Sequence, residues 1–305
     1  MKDIVWIAVD WGTSNLRVWG VDANGGIVAE ASSDKGMAKL DRAGFESALL
    51  ELIGGWLLED RQIPVVACGM VGARQGWLEV PYSETPCRPI FPEAIGRPDT
   101  RDQRLRVFVL GGIKQITPAP DVMRGEETQI AGILSADPSF EGVLCLPGTH
   151  TKWVRIRAGE IVDFKTFMTG ELFSLLSRQS VLRHSLNGAA GSDAIEFARS
   201  IQLMMTEPAS FAGQLFSIRA GNLVSGLEAG TAEARLSGLL IGAELAAARD
   251  YWFDQSPVIV GNGAQSDLYL EGLQTLGCSP RVIDASGVTL AGLKSAYAQI
   301  ARNFQ

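Results

Sequence analysis

The chain has only two histidines, four cysteines and no long apolar run, and each shortage removes a class of chemistry. With His150 and His184 alone, a histidine-based nucleophilic triad or a zinc centre has almost nothing to draw on. Cys68, Cys87, Cys145 and Cys278 stand far apart without a C-x-x-C pair. They read as buried thiols rather than metal ligands or disulfides, which suits a reducing cytoplasm. No stretch approaches the roughly 18 apolar residues of a membrane span. The opening MKDIVWIAVD is apolar for too short a distance to be a signal peptide, and Asp10 interrupts it. Formal charge is −7 and the basic residues are scattered, so the footprint of a nucleic-acid binder is missing. The Walker pattern G-x-x-x-x-G-K-[ST] is absent, which excludes an ordinary P-loop enzyme. VIVGNGAQS at 258–266 matches G-x-G-x-x-G only in part and lacks a following strand–helix–strand unit with a placed acid, which disfavours a dinucleotide-binding dehydrogenase.

What remains is a 305-residue chain, 46% hydrophobic, able to bury a substantial core in two domains or one large one. Residues 4–10 read as a buried strand and 16–21 as a half-buried one. Asp22–Gly26 is a hairpin turn, and Ile27–Glu30 begins a third strand. Residues 44–60 have helical spacing, 64–68 and 106–110 read as strands, and 73–99 is a long irregular excursion rich in proline and turn residues. The second half repeats the plan, with strands at 143–146, 151–156 and 161–164 around the turns Pro147–His150 and Ala158–Gly159. Placing Gly148-Thr149 on Gly12-Thr13 brings the two meanders into near register, which points to duplicated domains facing each other. Helices are expected over 170–186, 191–206 and 227–250, then strands at 257–260 and 280–284 and a last helix from 287. The fold class is therefore α/β, with domains at 1–117 and 118–305 and a last helix free to return to the first.

The chemistry is carried by a few short segments. Gly12-Thr13-Ser14-Asn15 and Gly148-Thr149 are turns that can point backbone N–H groups and a hydroxyl at an anion, and the pair could clamp a polyphosphate. Either turn alone is also an ordinary hairpin. Asp10 ends a buried strand beside the first turn and is placed to bind Mg²⁺, where a lone turn Asp would cap backbone N–H groups. Glu126 and Glu127 precede an apolar helical stretch. They suit either a helix macrodipole or a general base taking a proton from a substrate hydroxyl, and their order does not settle which acid serves. Gly261-Asn262-Gly263-Ala264 can leave a flat surface for the base and ribose of a nucleotide. His150 either touches phosphate or is a solvated loop residue. Arg74 could fork onto a carboxylate, with Gln75 beside it, and Trp77 could wall a sugar-like chain; the alternative is a surface Arg and a loop-anchoring Trp. Gly36 and Met37, after Lys35, could line the same site.

Asp10-x-Gly12-Thr13-x-x-x-Arg17 resembles the first phosphate motif of sugar kinases in the actin–hexokinase superfamily, glycerol kinase in particular. Gly125-Glu126 followed by Leu146-Pro147-Gly148-Thr149 looks like its catalytic-acid segment and second phosphate motif, and Gly261–Ala264 sits where its adenosine motif belongs. The longer strings DWGTSNLR, GMVGARQGW with EVPYSETPC, MRGEETQIAGIL, LPGTHTKWV and FMTGELFSLL resemble the 2-dehydro-3-deoxygalactonokinase family from end to end. That resemblance implies two ribonuclease H-like domains with a central interdomain cleft, and MgATP-dependent phosphorylation of 2-dehydro-3-deoxy-D-galactonate at its 6-hydroxyl in galactonate breakdown. It implies ATP contacts from Gly12, Thr13, Ser14, Asn15, Arg17, Gly148, Thr149, His150 and Gly261 to Ala264, with Mg²⁺ on Asp10. It also implies Glu126 as the acid, where glycerol kinase-like enzymes have Asp, which leaves Glu127 in contention. A kinase for the related acid 2-dehydro-3-deoxygluconate, or a non-catalytic ATP-switched actin-like regulator, are the rival readings. The expected partners are a sugar acid and ATP, without nucleic acid or membrane, and self-association into a homo-oligomer is left open.

Overall fold

The computed structural model describes residues 3–186 and 193–303. The chain begins with the antiparallel meander β1 (Trp6–Trp11), β2 (Leu16–Val21) and β3 (Ile27–Ser33), then α1 (Gly44–Ile53) and β4 (Ile63–Gly69). Two-residue strands β5 (Ser83–Glu84) and β6 (Ile95–Gly96) interrupt the proline-rich excursion. β7 (Leu105–Leu110), β8 (Ile113–Gln115), β9 (Asp121–Met123) and α2 (Glu126–Ala136) follow. A second meander, β10 (Gly142–Leu146), β11 (Thr151–Arg157) and β12 (Glu160–Phe167), leads into helices α3 (Thr169–Arg178), α4 (Arg183–Leu186), α5 (Ala194–Thr206), α6 (Phe211–Val224), α7 (Ala229–Ala247) and α8 (Arg249–Trp252). The chain closes with β13 (Val258–Val260), α9 (Ala264–Thr275), β14 (Arg281–Ile283) and α10 (Ala285–Asn303).

The larger sheet has the order β3-β2-β1-β4-β7-β6 and the second the order β12-β11-β10-β13-β14. In each, an antiparallel meander is extended on its first strand by two parallel strands. This is the ribonuclease H-like arrangement, present twice. A small sheet, β5-β8-β9, stands apart from both.

Two compact units result: Met1–Glu141 with Arg157–Asp163 and Ala285–Gln305, and Gly142–Ile156 with Phe164–Asp284. The first runs on past residue 117 because α2 belongs to it by packing. Gly132 of α2 and Gly292 of α10 face each other's helix, and a Cβ on either would overlap the carbonyl of Val288 or of Thr128. The two backbones are in contact at the crossing, which only side chains of zero length allow. Strand alternation supplies the rest of the core. Ile7, Val9 and Trp11 pack with Phe45, Leu49 and Ile53 of α1, while Trp6 and Ala8 pack with Ala131, Leu293, Ala296 and Ile300. In the second unit, α5, α7 and α9 cover one sheet face through Phe197, Ile201, Ile241, Leu245 and Leu273. Each of these side chains contributes about 1.5–3 kcal/mol by leaving water.

Several expected boundaries shift for local reasons. The helix expected to reach residue 60 ends at Ile53, where Gly54 and Gly55 favour a short 3₁₀ turn instead. The one expected over 170–186 breaks after Arg178, where the Ser180 hydroxyl bonds the Leu176 carbonyl and accepts from the Leu182 N–H. α5 starts at Ala194 with Asp193 as its cap, accepting the Glu196 N–H at 3.0 Å; residues 191–192 of the expected helix lie outside the described residues. α6 and α9 were not anticipated. No described helix is long and apolar enough to cross a membrane.

Candidate active site

Period-two alternation in β1 puts Asp10 on the same face as Trp6 and Ala8, the face covered by α2 and α10. Its strand neighbours are Arg17 across β2 and Cys68 across β4. Arg17 Nη2 donates to Asp10 Oδ2 at 2.5 Å and Nη1 to Ser286 Oγ at 3.0 Å, while Cys68 Sγ lies 3.9 Å from Oδ1. The Asp10 side chain is 20% exposed, so it is held by the fold and still open to a ligand. Arg17, expected at the phosphate turn, is engaged by this carboxylate and by α10.

The two Gly-Thr turns have their carbonyls tied back in a like way. In the first, Gly36, Met37 and Ala38 donate their N–H groups to the carbonyls of Ser14, Gly12 and Thr13 at 3.0–3.2 Å. Gly36 sits so close that a Cβ there would overlap the Thr13 carbonyl. A trans peptide points its N–H opposite its C=O. The N–H groups of Thr13, Ser14 and Asn15 are therefore turned away from residues 36–38, on an exposed edge. In the second turn, Gln265 Nε2 donates to the Gly148 carbonyl at 2.7 Å and the Glu171 N–H to the Thr149 carbonyl at 3.0 Å. Gly170 packs beneath, where a Cβ would overlap the Gly148 carbonyl. The N–H groups of Thr149 and His150 are turned outward in the same way. The exposed His150 ring pairs through Nε2 with Glu171 Oε2 at 2.6 Å.

A cavity of about 410 Å³ opens beside the second turn, within the range of small-molecule sites. Thr149, Gly170, Ala264, Gln265, Leu268 and Tyr269 are among its lining residues. Ala264, the last residue of the 261–264 segment, thus shares one cavity with Thr149 of the second turn, although the two stand 115 positions apart. Gly261 N–H bonds the Ile283 carbonyl, Asn262 Nδ2 bonds Asp284 Oδ1 at 3.0 Å, and Gly263 (φ 81°) opens α9.

The two acids at the start of α2 differ in setting. Glu126 is half-buried and its Oε2 accepts the Arg124 N–H at 3.0 Å. Glu127 is 1% exposed; its Oε2 accepts the Gly125 N–H at 2.7 Å and its Oε1 the Thr128 hydroxyl at 3.2 Å. Burial, and then repulsion from Glu126, pushes the Glu127 carboxyl up to about 8. The neighbouring Cys68 thiol is also pushed up, by burial first and then by the charges of Asp10 and Glu127. A carboxyl raised in the fold binds its proton more tightly there than in the unfolded chain. Its stabilising contribution is complete below about 4.5 and is lost as pH rises through about 8. Thermal melts between pH 6 and 9 should show wild-type Tm falling more steeply with pH than that of Glu127→Gln; parallel slopes would refute the assignment.

The profile of the family described as 2-keto-3-deoxy-galactonokinase matches residues 10–296. The chain is 39% identical over 301 residues to the "Probable 2-dehydro-3-deoxygalactonokinase" of Rhizobium meliloti (strain 1021), covering 95% of this chain and 96% of that one. It is 34% identical over 295 residues to the 2-dehydro-3-deoxygalactonokinase of Escherichia coli (strain K12), with the same coverage. A crystal structure of a candidate 2-dehydro-3-deoxygalactonokinase from Sinorhizobium meliloti superposes with a TM-score of 0.89 at 36% identity, over 97% of this chain and 99% of that one. The chain belongs to the 2-keto-3-deoxy-galactonokinase family.

In this kinase the residue expected to wall a sugar lies in the core. Trp77 is 8% exposed and belongs to the core under β1, stacked with Phe45 at 6.4 Å and edge-on to Trp11 at 6.3 Å. It anchors its loop instead of walling a sugar. Arg74 and Gln75 on the same loop are exposed, and Arg42 holds that loop through the Arg74 and Gly76 carbonyls. Gly36 and Met37 hold the Gly12–Asn15 turn through their N–H groups. Arg124, just before α2, donates through Nη2 to the Val80 carbonyl at 2.8 Å and lies 4.3 Å over Tyr82, while Nε and Nη1 have no acceptor. Ser286 and Gln265 were missed, since only tertiary packing gives either a partner. Among the described residues no three His, Cys, Asp or Glu side chains converge as a metal cage. A single carboxylate suits Mg²⁺, which keeps phosphate and water oxygens as its other ligands.

Proposed function

We propose that this kinase transfers the γ-phosphoryl group of ATP to the 6-hydroxyl of 2-dehydro-3-deoxy-D-galactonate, within galactonate catabolism in the cytoplasm. The reading is carried by the two like-built turns, Gly12–Asn15 and Gly148–His150, each with carbonyls tied back and N–H groups left for an anion. The outward N–H groups, with the Thr13 and Thr149 hydroxyls, bind phosphate oxygens. The cavity beside Thr149 and Ala264 takes the nucleoside. Asp10 holds Mg²⁺, which when bound offsets charge on the phosphates; Arg17 keeps that carboxylate aimed. Arg74 binds the substrate carboxylate with its fork of donors, and Gln75 bonds the sugar chain. Glu126 orients the hydroxyl and takes its proton as the oxygen attacks, because it is reachable where Glu127 is sealed. Phosphoryl transfer asks mainly for positioning and charge stabilisation, which these residues supply.

A coupled ADP-release assay with a panel of sugar acids tests the proposal. Turnover should require a sugar acid and fall by about tenfold or more with the epimeric 2-dehydro-3-deoxygluconate, the scale of one misplaced polar contact. Slow ADP release independent of any sugar would instead favour an ATP-switched regulator, and equal turnover of both epimers would remove the substrate assignment.

A further inference from the structure

The cavity in the second unit is backed by a carboxylate that does not line it. Glu244 of α7 is 3% exposed. Trp153 Nε1 donates to its Oε1 at 2.7 Å, Tyr269 donates to Oε2 at 2.6 Å, and the Thr169 hydroxyl donates to the same oxygen. Thr151 Oγ1 lies 2.7 Å from the Tyr269 hydroxyl and extends the chain by one link. Burial pushes the Glu244 carboxyl up while these three donors hold it down.

The donors come from the three elements that build the nucleotide side of the site. Thr151 and Trp153 begin β11, directly after the second phosphate turn. Thr169 opens α3, next to the Gly170 that packs under Gly148. Tyr269 lies on α9, the helix that carries Ala264 and the Gln265 bonded to the Gly148 carbonyl. An apolar side chain at 244 would match its α7 neighbours Leu240, Ile241 and Leu245, and would avoid the desolvation of a carboxyl. Apolar contacts, however, let packed elements slide, whereas three directional bonds of fixed length to three elements do not.

We propose that Glu244 is a positioning residue for the nucleotide: it locks β11, α3 and α9 in the arrangement that shapes the cavity and holds the phosphate turn. This rests on the kinase reading above. The amide in Glu244→Gln can accept from Trp153 and donate to the Thr169 and Tyr269 oxygens, so all three bonds are kept and the two to hydroxyls reverse direction. Glu244→Met keeps the volume and leaves three donors without an acceptor.

Calorimetric Kd for MgATP and steady-state KM for ATP and for the sugar acid test the idea on the full-length protein. Glu244→Met and Thr169→Val should weaken ATP by about tenfold or more, the scale of hydrogen bonds to a charged group, with KM for the sugar acid unchanged. Glu244→Gln should remain within about threefold of wild type, less than one such bond is worth. A merely structural role would lower Tm and the active fraction, so apparent kcat would fall while KM for ATP stayed put. Thr169→Val and Glu244→Met proteins that fold and bind MgATP within twofold of wild type would overturn the proposal. The wild-type assay reads the underlying function separately: MgATP binding without turnover of any sugar acid would remove the substrate assignment, and a shifted Kd in the variants would still support the positioning role.

Discussion

Glu126→Gln is expected to fold, bind ATP and lose about 10²–10⁴-fold in kcat, the range contributed by a general base. The substitution keeps the side chain's length and its bond to the Arg124 N–H, so the loss isolates proton acceptance. Glu127→Gln is the counterpart. Its carboxyl is sealed and committed to the Gly125 N–H, so this change should alter the pH dependence of stability and leave kcat within about threefold, well below the contribution of a general base. Single-turnover phosphorylation separates the chemical step from product release. A silent Glu126→Gln beside an inactive Glu127→Gln would exchange the two roles. Asp10→Ala should also fold and bind ATP at least weakly, and lose about 10²–10³-fold in turnover, as when one charge-stabilising group is removed. Full activity in Asp10→Ala would remove its assignment to Mg²⁺.

The second large effect falls on stability. Gly132→Ala and Gly292→Ala should each destabilise by about 3 kcal/mol, the upper part of the range for overpacking, because the obstacle is a backbone carbonyl on the facing helix. For a chain of this size that corresponds to a Tm lowered by about 5 °C. Gly213→Ala serves as the control. It lies in α6 with nothing within 4 Å of an added Cβ, and alanine there should be neutral or stabilise by up to about 1 kcal/mol. Thermal unfolding of the three variants decides the matter: a Gly132→Ala protein as stable as wild type would mean that the α2–α10 crossing can open without loss. Because Glu126 and Glu127 begin α2 and Ser286 begins α10, opening the crossing should also disturb the hold on Arg17 and hence on Asp10.

The turn chemistry of Asp22–Gly26 and of Ala158–Gly159 made the two meanders legible, although β2 is buried at five of its six positions rather than in strict alternation. The helices were less legible. α7 falls inside the helix expected over 227–250, but α6 exposes Phe216, Leu223 and Val224 and so lacks the one-sided stripe that marks a surface helix. Trp77 misled for a related reason. An aromatic side chain in a polar loop suits a sugar wall and a core anchor equally until Phe45 and Trp11 are brought against it.

By itself the sequence determined the chemical groups and their order: an acid after the first strand, two Gly-Thr turns in matching places, two acids at a helix start and a Gly-Asn-Gly segment near the end. These are local, since strand period, turn preference and helix capping act over a few residues. Only the tertiary structure decided which of them are held and by what. Arg17 and Ser286 come together across 269 positions, Thr149 and Ala264 share a cavity, and Glu244 gathers donors from three elements. Such contacts depend on how whole sheets and helices pack. A hydrogen bond between distant residues leaves no periodic trace in the chain, and it exists only once the apolar faces around it have been buried.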